Sequence, residues 1–157
     1  MERVFHEFGP FYNCDSKILI LGSFPSVKSR EVNFYYGHPQ NRFWKVLVSV
    51  YKDDLPITIE DKKAFLTKHH IALWDSIASC VIQGSSDASI QNVEINNIQE
   101  IIEKTKIQTI VLNGKAASKY FVKPANFDGE IHVLPSTSAA NASYTLDKLI
   151  EKWKVIQ

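Results

Sequence analysis

Four short, largely apolar runs constrain this chain most: Ile18 to Leu21, Ile71 to Trp74, Ile107 to Leu112 and Glu130 to Leu134. Runs of this length, rich in β-branched residues, read as strands. Segments with helical spacing lie between them. Pro39 is expected to open one helix, capped by Gly37 or His38, with Phe43, Trp44, Leu47, Val48 and Tyr51 on its apolar face. Thr58 to Asp61 reads as a capping box at the start of a helix ending near His69. Asn96 or Asn97 should cap a helix bearing Ile98, Ile101 and Ile102, and Gly114 to Phe121 should be a short helix. Asn141 or Ser143 should begin a terminal helix that buries Leu146, Leu149, Ile150 and Trp153. Strands alternating with helices imply right-handed βαβ units, so an α/β fold with a parallel sheet covered on both faces is expected. The least regular stretch is 76–96, with a turn at Gly84 to Asp87.

At 157 residues and 45% hydrophobic, the chain should form one domain, residues 1–157, with a substantial core. A formal net charge of +1 neither demands nor excludes nucleic acid, because basic groups gathered on one face suffice for binding. Cys14 and Cys80 are too few for a disulfide framework and lack metal-ligand spacing, which fits a reducing compartment. No run approaches the roughly 18 apolar residues of a spanning helix, and the amino terminus has no apolar signal region. A cytoplasmic protein, acting as a monomer, is expected.

In a parallel sheet, ligands bind beyond the carboxyl ends of the strands. Those ends lead here into Gly22–Asn41, Asp75–Ser89, Asn113–Lys115 and Pro135–Asn141, which are rich in Ser, Asn and Gly. The first is too long and too aromatic to be a mere connection. Phe34, Tyr35 and Tyr36 offer π-faces for a flat ring, and Gly22 and Gly37 would let backbone approach a ligand. Asn41 is placed in the first turn of the Pro39 helix, where its amide could orient a water or merely cap. His38 is a candidate cationic stabiliser, and Arg42 a candidate phosphate contact. Asp75 at a strand end could read a base edge, and Asn113 could place an amide in the same cleft. In the last loop, Pro135, Ser136, Thr137, Ser138 and Asn141 are small or hydroxylated, which suits contact with a nucleic-acid backbone. The histidines and acids show no metal-ligand spacing.

The runs GSFPS, FYYGHPQNRFW, LWDSIASC with GSSDASI, and LPSTSAAN closely resemble the hypoxanthine-DNA glycosylase branch of the uracil-DNA glycosylase superfamily. The resemblance spans about residues 15 to 153, and FYYGHPQNRFW is its most specific part. It implies a three-layer α/β/α sandwich around a four-stranded parallel sheet. It implies a monofunctional glycosylase that flips a deaminated base out of DNA and hydrolyses its N-glycosidic bond, with no metal or cofactor. Asn41 matches that branch's proposed catalytic residue, and Pro135–Asn141 matches the superfamily's DNA-inserting loop. Backbone N–H groups at Ser23 and Phe24, or His38, would then stabilise the leaving base. Uracil-specific relatives carry an acid or amide where this chain has Ser23 to Ser26, and often a His where it has Leu134. The hypoxanthine branch shares both departures, although it commonly has Pro where this chain has Ala139.

Other classes fit less well. A flavodoxin-like nucleotide or flavin binder would use Ser23 to Ser29 as a phosphate loop, but Pro25 removes an N–H donor there. A serine hydrolase would need a G-x-S-x-G elbow, which the chain lacks. A non-catalytic binder of damaged DNA is separated from a glycosylase by turnover. Among hypoxanthine, uracil and xanthine, hypoxanthine is favoured by the resemblance.

Overall fold

A computed structural model describes residues 2–157. Its centre is a four-stranded parallel sheet built from β2 (Ile18–Gly22), β3 (Ile71–Asp75), β6 (Thr109–Asn113) and β7 (Glu130–Leu134), in the order β3-β2-β6-β7. The register pairs Leu21 with Trp74 and with Leu112, so the carboxyl ends of the central strands finish level with one another. Side chains alternate across the sheet, as the two-residue period of a strand requires. Ile20, Leu73 and Val111 face one layer, which holds α2 (Phe43–Tyr51), α3 (Ile59–Lys68) and α6 (Leu146–Trp153). Leu19, Leu21, Ala72, Ile110 and Leu112 face the other, which holds α4 (Gln99–Lys104) and α5 (Lys115–Lys119). The result is the expected three-layer sandwich. Phe43, Leu47, Leu66, Leu149 and Trp153 are almost wholly buried in the first layer, and each such side chain contributes about 1.5–3 kcal/mol of burial.

Several sequence boundaries move, each for a local reason. Residues 38–41 form a turn closed by Asn41 N–H to His38 C=O at 3.0 Å, so the helix starts at Phe43 and not at Pro39. Its buried face is Phe43, Trp44, Val46, Leu47 and Val50, while Val48 and Tyr51 are half-buried. The capping box at Thr58 and Asp61 is present. Asn97 Oδ1 accepts from Gln99 N–H at 3.0 Å at the start of α4. The terminal helix is capped by Thr145, whose hydroxyl accepts from Lys148 N–H, so Asn141 and Ser143 remain in the preceding loop.

Two features lay outside the expected layout. The long first loop contains α1 (Val27–Val32), capped by Ser26. The irregular stretch 76–96 contributes β4 (Ile77–Val81) and β5 (Gln91–Ile95), which form an antiparallel sheet with β1 (Arg3–Phe5) in the order β1-β4-β5. Phe24, Ile77, Cys80, Ile82 and Ile90 form its small core. In β5 only Val93 is half-buried and the other four residues are exposed, so Val93 and Ile95 give too short an apolar alternation to read as a strand. No helix among the described residues is long and apolar enough to cross a membrane.

Candidate active site

The four polar loops meet at the carboxyl edge of the parallel sheet and enclose a cleft of about 310 Å³. That is the small end of the range for ligand sites. Gly22, Ser23, Phe24, Tyr35, Tyr36, His38, Asn41, Asp75, Asn113, Ser136 and Ser138 line it, together with Ser85 and Asp87 from the β4–β5 connection.

A directed chain of hydrogen bonds crosses its floor. Asn113, at the end of β6, donates from Nδ2 to the Tyr36 hydroxyl at 3.3 Å and to Thr137 Oγ1 at 3.1 Å. Its Oδ1 accepts from Thr137 N–H at 3.1 Å. Thr137 Oγ1 in turn donates to Asn41 Oδ1 at 2.9 Å. Asn41 Oδ1 also accepts from Phe43 N–H at 2.9 Å. A backbone N–H can only donate, so the amide orientation of Asn41 is settled by that bond. Both lone pairs of its oxygen are then engaged, and Nδ2 has no protein partner among the described residues. Asn41 therefore offers the cleft donors alone. It cannot hold a water by accepting and donating together, as the sequence had allowed.

Asp75, at the end of β3, is 3% exposed. Its Oδ2 accepts from His6 Nε2 at 2.7 Å, and His6 Nδ1 is buried without a partner. Its Oδ1 lies against Gly22, where a Cβ would come within 2.6 Å of it. Only glycine leaves that oxygen its place. The pairing with His6 was invisible in sequence because β1, which delivers His6, lies 69 residues away.

Tyr36 adopts a left-handed backbone at φ 53°, a conformation an aromatic residue takes only under constraint. Its ring stacks on Phe43 with centroids 3.8 Å apart. Burial, then the charge of Asp75, holds the Tyr35 and Tyr36 hydroxyls far above the ordinary tyrosine range. Both stay protonated as donors near neutral pH. Tyr35 donates to Gly9 C=O at 2.9 Å. His38 is exposed at the mouth, and its Nδ1 accepts from Gln40 N–H at 3.1 Å, which leaves Nε2 as the ring's donor.

Several expected contacts are corrected. Phe34 is 5% exposed and packs among Phe11, Tyr35 and Trp44 in the core, so it does not line the cleft. The rings that do are Phe24, Tyr35 and Tyr36. Arg42 does not reach outward. Its guanidinium donates to the carbonyls of Thr137, Ser138, Asn141 and Tyr144 and clamps the last loop from inside. Thr137 is fully buried, so it cannot touch DNA. Asn113 is spent on the floor network. Pro135 stands outside the cleft, its carbonyl accepting from Trp153 Nε1 at 3.0 Å. Ser136 Oγ accepts from Ser138 N–H, Ser138 Oγ accepts from Ala140 N–H, and Asn141 Nδ2 donates to Ser136 C=O. The loop is thus pre-ordered by its own side chains, and its exposed tip is Ala139 and Ala140.

Residues 10–157 match the family model of the uracil DNA glycosylase superfamily. The chain belongs to that superfamily. It is 34% identical over 144 residues to a hypoxanthine DNA glycosylase of Methanosarcina acetivorans, covering 90% of each chain. It is 32% identical to a hypoxanthine DNA glycosylase of Methanosarcina barkeri, covering 85% of this chain and 86% of the relative. The fold aligns with a solution NMR structure of a candidate uracil DNA glycosylase from M. acetivorans at a TM-score of 0.80 and 30% identity, covering 95% of this chain and 96% of that one. Among the described residues no group of three or more His, Cys, Asp or Glu side chains is placed to hold a metal ion.

Proposed function

We propose that the protein, a DNA glycosylase by family, releases a deaminated base from DNA by hydrolysis, with hypoxanthine as the favoured base. The observation that carries this reading is the polarity of the cleft. Asn41 presents only donors and Asp75 Oδ1 only an acceptor. Deamination turns a base edge from amino donor plus ring-nitrogen acceptor into carbonyl acceptor plus ring N–H donor. Hypoxanthine, with O6 and N1–H, complements the pair Asn41 and Asp75. Adenine would set donor against donor and lone pair against carboxylate, and mis-paired polar groups in a closed site discriminate strongly. Uracil and xanthine present the same edge pattern; the names of the two relatives favour hypoxanthine.

Extruding the base from a duplex costs a few kcal/mol, less at a mismatch. Phe24, Tyr35 and Tyr36 offer aromatic surface to receive it. As the N-glycosidic bond breaks, its electron pair passes to the base and the sugar becomes oxocarbenium-like. The Asn41 amide, donating to the carbonyl oxygen, strengthens its hydrogen bond as charge builds there. His38 Nε2 is a second donor at the same mouth. No lysine lines the cleft among the described residues, so a Schiff-base route has no amine at hand. The loop 135–141 would press its Ala139–Ala140 tip into the groove beside the extruded nucleotide.

Single-turnover release in EDTA from oligonucleotides carrying hypoxanthine, uracil or xanthine tests this. Hypoxanthine should leave fastest, with an abasic site and an uncut strand. A borohydride-trapped covalent complex, or no release from any of the three, would sink the proposal.

A further inference from the structure

We infer that Asp87, delivered by the β4–β5 connection, is the carboxylate that holds and deprotonates the attacking water. This rests on the hydrolytic reading above and supplies what the first loop lacks. Ser23 to Ser26 contain no acid, and the amide oxygen of Asn41 is already engaged twice. Two carboxylates line the cleft, Asp75 and Asp87. Asp75 is tied to His6 beneath the base-reading edge. Asp87 stands at the Ser23 wall, where the Ser23 hydroxyl donates to its Oδ1 at 2.8 Å. Its Oδ2 has no protein partner among the described residues. The connection that carries it is docked, not loose. Arg30 Nη2 donates to Gly84 C=O at 2.8 Å, and Val27 N–H donates to Ser85 Oγ at 2.9 Å. Ser89 Oγ closes the turn through Ser86 C=O at 2.7 Å and Gln83 N–H at 2.8 Å.

A negative charge at the mouth of a cleft that must accept a polyanion weakens ground-state binding. It is useful where positive charge develops, at the oxocarbenium sugar, and so acts on the transition state more than on the bound substrate. Although one side of the residue is open to solvent, crowding around the carboxyl and then the charge of Asp75 raise its pKa, against the pull of the Ser23 bond. A raised carboxylate is the better base. The step balances. The N9–C1′ pair leaves with hypoxanthine, and a water lone pair forms the new C1′–O bond. Asp87 Oδ2 takes the water proton and returns it to solvent, and the base anion takes a proton from water.

The test is Asp87→Asn, which keeps an acceptor for Ser23 but removes the base. Release is measured at single turnover with excess enzyme on a deoxyinosine duplex. Affinity is measured on the same duplex with a cleavage-resistant 2′-fluoro deoxyinosine. The rate should fall at least about a hundredfold, while affinity stays level or tightens as one negative charge is lost. Asp87→Glu should recover part of the rate. Thermal melts verify folding, and Asp87→Ser, with the same expected loss, replaces the Asn variant if that does not fold. A rate within threefold of wild type, or a loss that merely follows weaker binding, overturns the role of Asp87 and leaves the glycosylase reading standing. A wild-type protein that releases no base overturns both.

Discussion

The Thr137 hydroxyl donates to Asn41 Oδ1 at 2.9 Å, across 96 residues of sequence. This one bond joins the two loops that dominate the cleft, and it decides what Asn41 can do. By filling the second lone pair of the amide oxygen it turns the free Nδ2 toward the site. Thr137 can do so because Asn113 holds it from both its hydroxyl and its N–H. Thr137, one of the loop residues expected to contact DNA, is therefore an internal brace.

Thr137→Val keeps the shape and removes the hydroxyl. It leaves one Asn113 hydrogen and one Asn41 lone pair without partners, at a cost of about 1–3 kcal/mol. Single-turnover release should fall by about tenfold or more with little change in DNA affinity, and the melting temperature should drop. Thr137→Ser should recover most of both. A Val variant as active as wild type would show that Asn41 needs no brace.

Asn41→Ala should lose at least about a hundredfold in single-turnover rate, the usual scale for a positioned transition-state donor. Asn41→Asp separates capping from catalysis. It retains the acceptor for Phe43 N–H and Thr137 but places a second acceptor where the amide donated. Its melt should stay close to wild type while its activity falls as far as that of Ala. Near-native cleavage by either variant would return Asn41 to a helix-start role.

The central fold was legible because its strands and helices carry strong periods, and GSFPS, FYYGHPQNRFW and LPSTSAAN lie in loops that line the cleft. Side-chain direction was not legible. Phe34 and Tyr35 are neighbours in sequence, yet one enters the core and the other lines the cleft. Arg42 reads as a phosphate ligand, but its N–H and four of its five guanidinium hydrogens donate to backbone carbonyls. His6 and Asp87 escaped notice because the second sheet that brings them in is made of short strands from distant segments. A carboxylate inside GSSDASI reads locally as turn chemistry; only the docking of that turn on Ser23 makes it part of the site.

Gly22→Ala should displace the Asp75 carboxylate, since the added Cβ would sit 2.6 Å from Oδ1. The fold should survive, because the clash is with a side chain and not with backbone. Hypoxanthine release should fall by at least about tenfold, as misplaced site groups commonly cost that or more. Asp75→Asn should fall further and narrow the preference for deaminated over normal bases. Competition between deoxyinosine and deoxyadenosine oligonucleotides measures this; an unchanged preference in Asp75→Asn would remove Asp75 from base reading.

Stability should fall on the alkaline side. Burial pushes the Tyr51 hydroxyl up to about 12, and burial with the charge of Asp75 raises Tyr35 and Tyr36 further. A group whose folded pKa is raised contributes fully below its unfolded value, about 10 for tyrosine. The contribution is lost as pH rises from there through the folded value. Urea midpoints should therefore decline between about pH 10 and 12, and Tyr51→Phe should decline less steeply. A flat profile over that window would mean these hydroxyls ionise freely in the folded protein.

The last loop should bind DNA through its tip and not through its named polar residues. Ser136, Ser138 and Asn141 spend their side chains on the loop itself, and Arg42 spends its guanidinium on the loop carbonyls, so only Ala139 and Ala140 project freely. Ala140→Asp sets a charge against the phosphates and should weaken binding of a lesion duplex, most clearly at low salt where electrostatics dominate. Ala140→Gln, bulkier but neutral, should weaken it less. Arg42→Ala should act differently. It removes the guanidinium's donations to four loop carbonyls and loosens the loop, so it should lower the melting temperature and the release rate. The slope of affinity against salt should stay near wild type, because no phosphate contact is lost. A slope reduced by about one in Arg42→Ala would mean the guanidinium leaves its carbonyls for DNA. An Ala140→Asp variant that binds as tightly as wild type at low ionic strength would remove the loop tip from the DNA interface.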